Sequence, residues 1–362
     1  MKQNKHTRID TTFRIGLAVV VLICAALGIL ASQWLAREAR QFVTHEFNEG
    51  QLLIARNARD LIEREFNLLK KEIMLVAGEI PKEGFDLTSH GPLLQRSLAR
   101  VLESGVHRIE IVDLLAGTTI SCKHHTGDVT RQPLDESLYD YLDPTALIRD
   151  TVWVSHPRRE KSTLSLTLAM ALDGESSQIL LYEVNLPWLL TPFLKNVRSG
   201  ETGYAWIIDG AGYFLYHPDP AYIGKDAFLV RQEKYPGITY ERINSIQREC
   251  MLRGEEGIGS YYSSRHRGLT GKIEKLIAYT PVSISGDPGA VWSVAVVAPT
   301  YELADVLKRS QRAQLLLLIV VIVLVTSAGM VIILRERQWS RTLGKRVNVQ
   351  TEELRRSEEK YR

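Results

Sequence analysis

Residues 200–226 read GETGYAWIIDGAGYFLYHPDPAYIGKD, and this stretch decides the fold. Tyr204 through Ile208 is a β-branched and aromatic run, which predicts a strand over 204–209. Asp209-Gly210-Ala211-Gly212 predicts a turn, because glycine takes positive φ without steric cost. Residues 213–216 form the return strand. His217-Pro218-Asp219-Pro220 ends it, since proline has no N–H to give to a ladder. The product is a β-hairpin closed by a proline-fixed loop.

On either side of this hairpin the chain carries two uncharged apolar runs, residues 15–35 and 315–334. Each has the ~20 residues that a helix needs to cross a bilayer. A cleaved signal peptide is the alternative for the first, but its apolar run is longer than an ordinary h-region. Lys2, Lys5, Arg8 and Arg14 precede the first run, and Arg335, Arg337, Arg341, Lys345 and Arg346 follow the second. Positive flanks stay inside, so both termini are expected in the cytoplasm and the long middle segment outside the membrane. Lys308, Arg309 and Arg312 flank the second run on its outer side and work against this orientation. The net charge of +3 offers no surplus for nucleic acid.

Residues 37–79 predict one long helix, with Ile54, Ala58, Leu61, Ile62, Phe66, Leu69, Ile73, Val76 and Ile80 at three-four spacing and Pro81 ending it. A helix that rises from a membrane span reads as a stalk, and its apolar seam suits a homodimer. A short helix over 93–102 precedes strands at 106–113 and 118–123, a helix over 135–149, and strands at 151–155, 163–172 and 178–186. Asp173-Gly174 forms a hairpin turn between the last two. Residues 186–197, broken by Pro187 and Pro192, read as a connector. After the 204–216 hairpin come a helical connector over 240–253 and strands at 258–264, 275–281 and 291–298. The fold class expected is α+β: two tandem PAS-like antiparallel sheets on a stalk helix, between two membrane helices. The expected boundaries are a cytoplasmic N-terminus at 1–14, the first span at 15–35, the stalk at 36–80, a distal subdomain at 81–190 and a proximal subdomain at 191–300. An exit helix at 301–314, the second span at 315–334 and a cytoplasmic helical linker at 335–362 complete it.

The hairpin resembles that of Cache domains, the extracytoplasmic sensor modules related to PAS domains. The likeness rests on Gly203-Tyr204-Ala205, Ile208-Asp209, Gly212, His217-Pro218-Asp219-Pro220 and Ile223-Gly224-Lys225. It continues through Gly254, Gly257 and Gly259 before Tyr261-Tyr262, then Ala278-Tyr279-Thr280-Pro281-Val282, and Trp292-Ser293-Val294 leading to Pro299. The upstream half fits a distal Cache subdomain by pattern alone. The whole resembles the double Cache sensor of a transmembrane receptor of the histidine kinase or diguanylate cyclase type. The segment 352–362 is similar to the helix that leads into a cytoplasmic PAS domain, and Val347, Leu354 and Tyr361 give it a partial heptad. The output domain is expected to be absent from this chain.

No kinase, cyclase or hydrolase motif is present in the sequence, so no catalytic residue is expected. Cys122, His124 and His125 are competent metal ligands, but adjacent strand residues point to opposite faces and no second pair sits at ligand spacing. No metal or cofactor is expected. Cys122 and Cys250 either bridge or remain two unpaired thiols, and the second reading is preferred. What remains is binding of a small extracytoplasmic molecule in the distal pocket that the resemblance implies. By position the candidates are Tyr139, Tyr141, Trp153, Ser155 and Tyr182, with Asn185 where amino-acid-binding relatives carry an aspartate. The missing charge predicts a ligand other than a typical amino acid. Arg131, Arg149, Arg158 and Arg159 suit a carboxylate. Trp206, Tyr216, His217, Tyr261 and Tyr279 hold the equivalent proximal surface, where core packing is the simpler reading. The rival is a membrane interaction protein without a ligand of its own, or a truncated partner of intact receptors.

Overall fold

Helix α1 (Gln3–Glu79) opens the chain with 77 residues in the computed structural model. The structure describes residues 3–80, 86–124, 127–148, 150–160, 163–173, 177–284 and 291–360. Side chains of 3–15, 17–18, 20–21, 24, 146, 160, 305–311, 336–337, 340 and 358–360 are also outside the description. Pro81, His125, Arg149, Gly174 and Tyr361 from the sequence reading therefore lie outside the described residues.

The chain divides into two units, one comprising Met1–Thr44 and Leu303–Arg362, the other His45–Glu302. In the second unit α1 is the central spine. Ala58, Ile62, Phe66, Leu69, Ile73, Val76 and Ile80 are buried in one cluster, while Leu61 stays exposed. Each large apolar side chain buried there contributes about 1.5–3 kcal/mol.

The first sheet has seven strands: β1 (Val106–Asp113), β2 (Thr118–Lys123), β3 (Val129–Pro133), β4 (Trp153–Val154), β5 (Arg158–Glu160), β6 (Thr163–Ala171) and β7 (Gln178–Asn185). Their order is β3-β2-β1-β7-β6-β4, with β5 also on β6, and every pairing is antiparallel. Alternation along the strands sends Ile109, Ile111, Leu180, Tyr182 and Leu166 to the α1 side, where α2 (Leu87–Arg100) joins the same core. Val112, Ala169, Ile179 and Leu181 face the other way, into a smaller cluster. The helix expected over 135–149 is instead two 3₁₀ turns, Glu136–Asp140 and Pro144–Ala146. Asp135 and Asp143 each accept a backbone N–H two residues on, and Pro144 disfavours helical geometry at Asp143.

Residues 186–194, expected as a connector, form α3 (Leu186–Leu194). Asn185 caps it, and Pro187 sits in the first turn where a missing N–H costs nothing. The second sheet holds β8 (Tyr204–Ile208), β9 (Phe214–Tyr216), β10 (Gly257–His266), β11 (Leu269–Ser283) and β12 (Val291–Pro299) in the order β10-β11-β12-β8-β9. The quoted hairpin is thus a two-stranded ribbon at one sheet edge. Its turn needs Gly212 at φ 88°, and Gly203 has no room for a side chain, since a Cβ would lie 2.1 Å from the Ser199 carbonyl. Between β9 and β10 run α4 (Leu229–Lys234), which the sequence reading did not anticipate, and α5 (Glu241–Ser245), which passes into a π turn at Ile246–Cys250. Ala205, Ile207, Trp292, Val294 and Val296 join the α1 core, and Phe66 meets Trp292 edge-on at 5.6 Å. The fold is α+β with two PAS-like antiparallel sheets.

The first unit consists of the start of α1 and of α6 (Ala304–Lys360). Within α6, Arg312–Arg335 is long and apolar enough to cross a membrane. Gly28 lets Leu318 approach α1 closely, at a point where a Cβ would be 2.6 Å from the leucine methyl.

Candidate functional site

The face of the first sheet turned away from α1 carries charge. Arg108 and Glu110 alternate with core residues on β1, and Glu183 stands opposite Arg108 in the register on β7. The buried Glu183 carboxylate accepts from Arg108 Nε at 2.6 Å and from Arg158 Nη2 at 2.7 Å. Arg158 also donates to Thr167 Oγ1, and its guanidinium lies 3.7 Å from the centre of the Tyr141 ring. Glu110 lies 3.7 Å from Arg108, and burial raises its carboxyl pKa despite that neighbour. Burial likewise pushes the Tyr141 hydroxyl up to about 12. Over this face opens a cavity of about 380 Å³. Its charged lining is balanced: Arg108, Arg158 and Arg159 against Glu110, Asp135 and Asp140.

Of the residues singled out from sequence, Tyr141 lines this cavity, with Arg158 and Arg159 beside it. Tyr139 is on the same 3₁₀ turn but is half-exposed. Trp153 packs against the small cluster under the pocket. Ser155 is buried, accepts from the Thr167 N–H at 2.9 Å, and borders a separate cavity of about 350 Å³ with Asp209 and Trp292. Arg131 reaches Thr118 Oγ1 at 3.2 Å. Two choices need correction. Tyr182 points to the α1 side, where its hydroxyl meets Ser97 Oγ, because residues of even number on β7 face away from the pocket. Asn185 has the right parity but stands at the strand's end, and its Oδ1 accepts from Trp188 N at 3.0 Å as the cap of α3. Arg108, Glu110 and Glu183 went unnoticed, although ionisable residues at alternate positions of otherwise apolar strands were the available signal. Cys122 and Cys250 are unpaired; Cys122 is buried in the α1 core, and the His124 ring packs edge-on to Trp188 at 5.4 Å.

Solved structures share this architecture. The periplasmic sensory domain of the Campylobacter jejuni chemoreceptor Tlp1 matches with a TM-score of 0.51 at 10% identity, covering 72% of this chain and 98% of that one. The chain has the double Cache fold. The sensory domain of Campylobacter jejuni Tlp3 matches with a TM-score of 0.50 at 10% identity, covering 73% and 98%. At these identities the likeness concerns fold. No family model matches the sequence.

The exclusion of an amino-acid ligand does not stand. The Tlp3 sensory domain has also been solved with isoleucine bound, a structure that matches with a TM-score of 0.49 at 10% identity and covers 73% of this chain and 97% of that one. The exclusion rested on Asn185 replacing a pocket aspartate, and Asn185 is a helix cap outside the pocket.

Proposed function

We propose that this chain is the sensory part of a bacterial two-pass receptor, and that its distal pocket takes a small zwitterion of the amino-acid class. The observation that carries this reading is the balanced charge of the distal cavity. A carboxylate finds Arg159 there, beside Arg108 and Arg158, whose charge Glu183 already shares; an ammonium finds Glu110, Asp135 and Asp140. An arriving ammonium also favours the ionised form of Glu110, which burial disfavours in the empty pocket.

The membrane arrangement is part of the proposal. Residues 15–35 and Arg312–Arg335 form two crossing helices, supported by apolar length, by the inner lysine and arginine flanks, and by the close approach at Gly28. Residues 81–190 and 191–300 serve as distal and proximal sensing subdomains between them, and the chain contributes sensing, not catalysis. The test is a thermal-shift and calorimetric screen of the twenty standard L-amino acids on the full chain in nanodiscs. At least one is expected to raise Tm saturably, with a response lost in Tyr141→Ala and weakened about tenfold or more in Glu110→Gln. A screen in which none shifts the wild type, or in which both variants respond like it, overturns the assignment.

A further inference from the structure

The second sheet also has an outer face, and its chemistry is different. A cavity of about 370 Å³ lies against it, lined by four cationic side chains, Arg231, Arg265, Arg267 and Lys275, and one carboxylate, Asp219. That carboxylate is already engaged, with Oδ1 capping Ala221 N at 3.1 Å and Oδ2 3.5 Å from Arg265. One of these cations is deep and a second is partly buried. Lys275 is 1% exposed, and its Nζ donates only to uncharged groups, the Tyr204 hydroxyl at 3.1 Å and the Arg265 carbonyl at 2.7 Å. Arg231 donates to Gln247 Oε1 at 2.7 Å and to the Ala227 carbonyl at 3.0 Å. Among the described residues no carboxylate forms an ion pair with either.

Desolvated cations without a counter-charge are costly, and proteins retain them where something else supplies the charge. Burial pulls both groups' pKa values down, and for Lys275 the neighbouring Arg231 charge adds to it, bringing that ammonium to about 7, as expected for a site whose anion is not part of the chain. His217 is kept neutral by burial, and its Nδ1 accepts from Asp219 N at 3.0 Å, which leaves Nε2–H as a donor. Much of the remaining wall is aromatic, with Tyr204, Trp206, Tyr222 and Tyr261, and prolines and serines complete it. The rings give apolar surface to a carbon skeleton. We propose that the proximal pocket is a second ligand site, taking a small organic dianion of the dicarboxylate class between Arg231 and Lys275.

This site is separate from the distal pocket and does not depend on it. Hydrogen phosphate offers the same double charge without the skeleton, so the experiment runs both. Succinate, acetate and inorganic phosphate are titrated at constant ionic strength into the full chain in nanodiscs, with binding followed by calorimetry and thermal shift. Succinate is expected to bind saturably and to raise Tm, more strongly than acetate or phosphate. Lys275→Met keeps the buried stem and removes the charge; it should weaken succinate by roughly 10- to 100-fold while the protein stays folded by circular dichroism. Arg231→Gln should do the same, and Tyr141→Ala in the distal pocket should leave succinate binding unchanged. No binding of succinate or phosphate overturns the proposal, as does undiminished succinate binding in folded Lys275→Met. Binding of phosphate alone overturns the dicarboxylate assignment, and loss in Tyr141→Ala moves the ligand to the distal site.

Discussion

Replacing Lys275 by methionine should make the ligand-free protein more stable, and should do so in a way that depends on pH. Burial lowers the Lys275 pKa from 10.5 to about 7. At 1.36 kcal/mol per unit, an ammonium in that position costs about 5 kcal/mol relative to the unfolded chain, as an order of magnitude. The sign follows from proton counts. Between pH 7 and 10 the unfolded lysine keeps its proton while the native one loses it, so the unfolded state binds more protons and stability rises with pH. Below pH 7 the full penalty applies. The groups around it are quiet in this window. Burial pushes His217 down to about 3 and His266 down to about 4, so both stay neutral. Arg231 stays protonated. Tyr204 and Tyr261 are pushed up by burial and keep their protons. Above pH 10 the unfolded tyrosines ionise and reverse the trend, so the measurement belongs between pH 7 and 9.5. Methionine gives up two hydrogen bonds worth about 1 kcal/mol each. The net gain expected at pH 7 is therefore about 2–3 kcal/mol. The assay is thermal unfolding of the full chain in nanodiscs, followed by tryptophan fluorescence. Burial also raises the Cys122 thiol, which lowers the stability of both proteins alike towards pH 9.5; relative to Lys275→Met, wild type should gain stability from pH 7 to 9.5, and Lys275→Met should be higher at pH 7. A variant that is less stable than wild type at pH 7, or keeps the wild-type slope, refutes the reasoning and makes Lys275 a structural hydrogen-bonding group.

Phe66→Ala removes a fully buried ring that meets Trp292 edge-on and should cost about 3–5 kcal/mol in chemical or thermal unfolding, whereas Leu61→Ala on the exposed side of the same helix should cost under about 1 kcal/mol. Gly203→Ala places a methyl against the Ser199 and Val297 carbonyls, at 2.1 and 2.7 Å before any shift, and is expected to lower the yield of folded protein and to destabilise by about 3 kcal/mol or more. Glu302 accepts from the backbone N–H groups of Glu201 and Thr202 at 2.8 and 2.9 Å; Glu302→Gln, which exchanges a charged acceptor for a neutral one, should lower stability by about 1–2 kcal/mol at neutral pH.

The strands that bury one or both faces were legible because alternation and β-branched content agree. β1 and β2 lie where the pattern put them, and so do β6, β8 and β12 to within a few residues. β3 and β5 carry Thr130, Arg131, Gln132, Arg158, Arg159 and Glu160, polar residues of lightly covered strands that show no apolar period. The 135–149 segment misled because its apolar spacing is helical while Asp135, Asp143 and Pro144 impose local turns. The charged lining of the proposed distal pocket was missed for a related reason. Aromatic residues were taken as ligand contacts, but in a sheet that packs on a helix the aromatic Tyr182 belongs to the packed side. Arg108, Glu110 and Glu183 are ionisable residues on strands that are otherwise largely apolar, and the proposed distal pocket rests on that contrast.

The two sheets use their faces alike. One hydrophobic cluster takes Ala58, Ile62, Phe66 and Ile73 from α1, Ile109, Ile111 and Leu180 from the first sheet, and Ile207, Trp292 and Val294 from the second. Both cavities open on the opposite faces, over Arg108 and Glu110 in one sheet and over Trp206, Tyr261 and Lys275 in the other. A ligand in either pocket is therefore separated from α1 by a single layer of strands. Close-packed interiors do not deform freely, and packed layers shift against one another instead. The strands that meet each ligand with one set of side chains grip α1 with the alternate set, one residue away: Glu183 beside Tyr182, Trp206 beside Ile207. On the proposed reading, occupancy of either pocket would reach α1 through movement of the strands themselves.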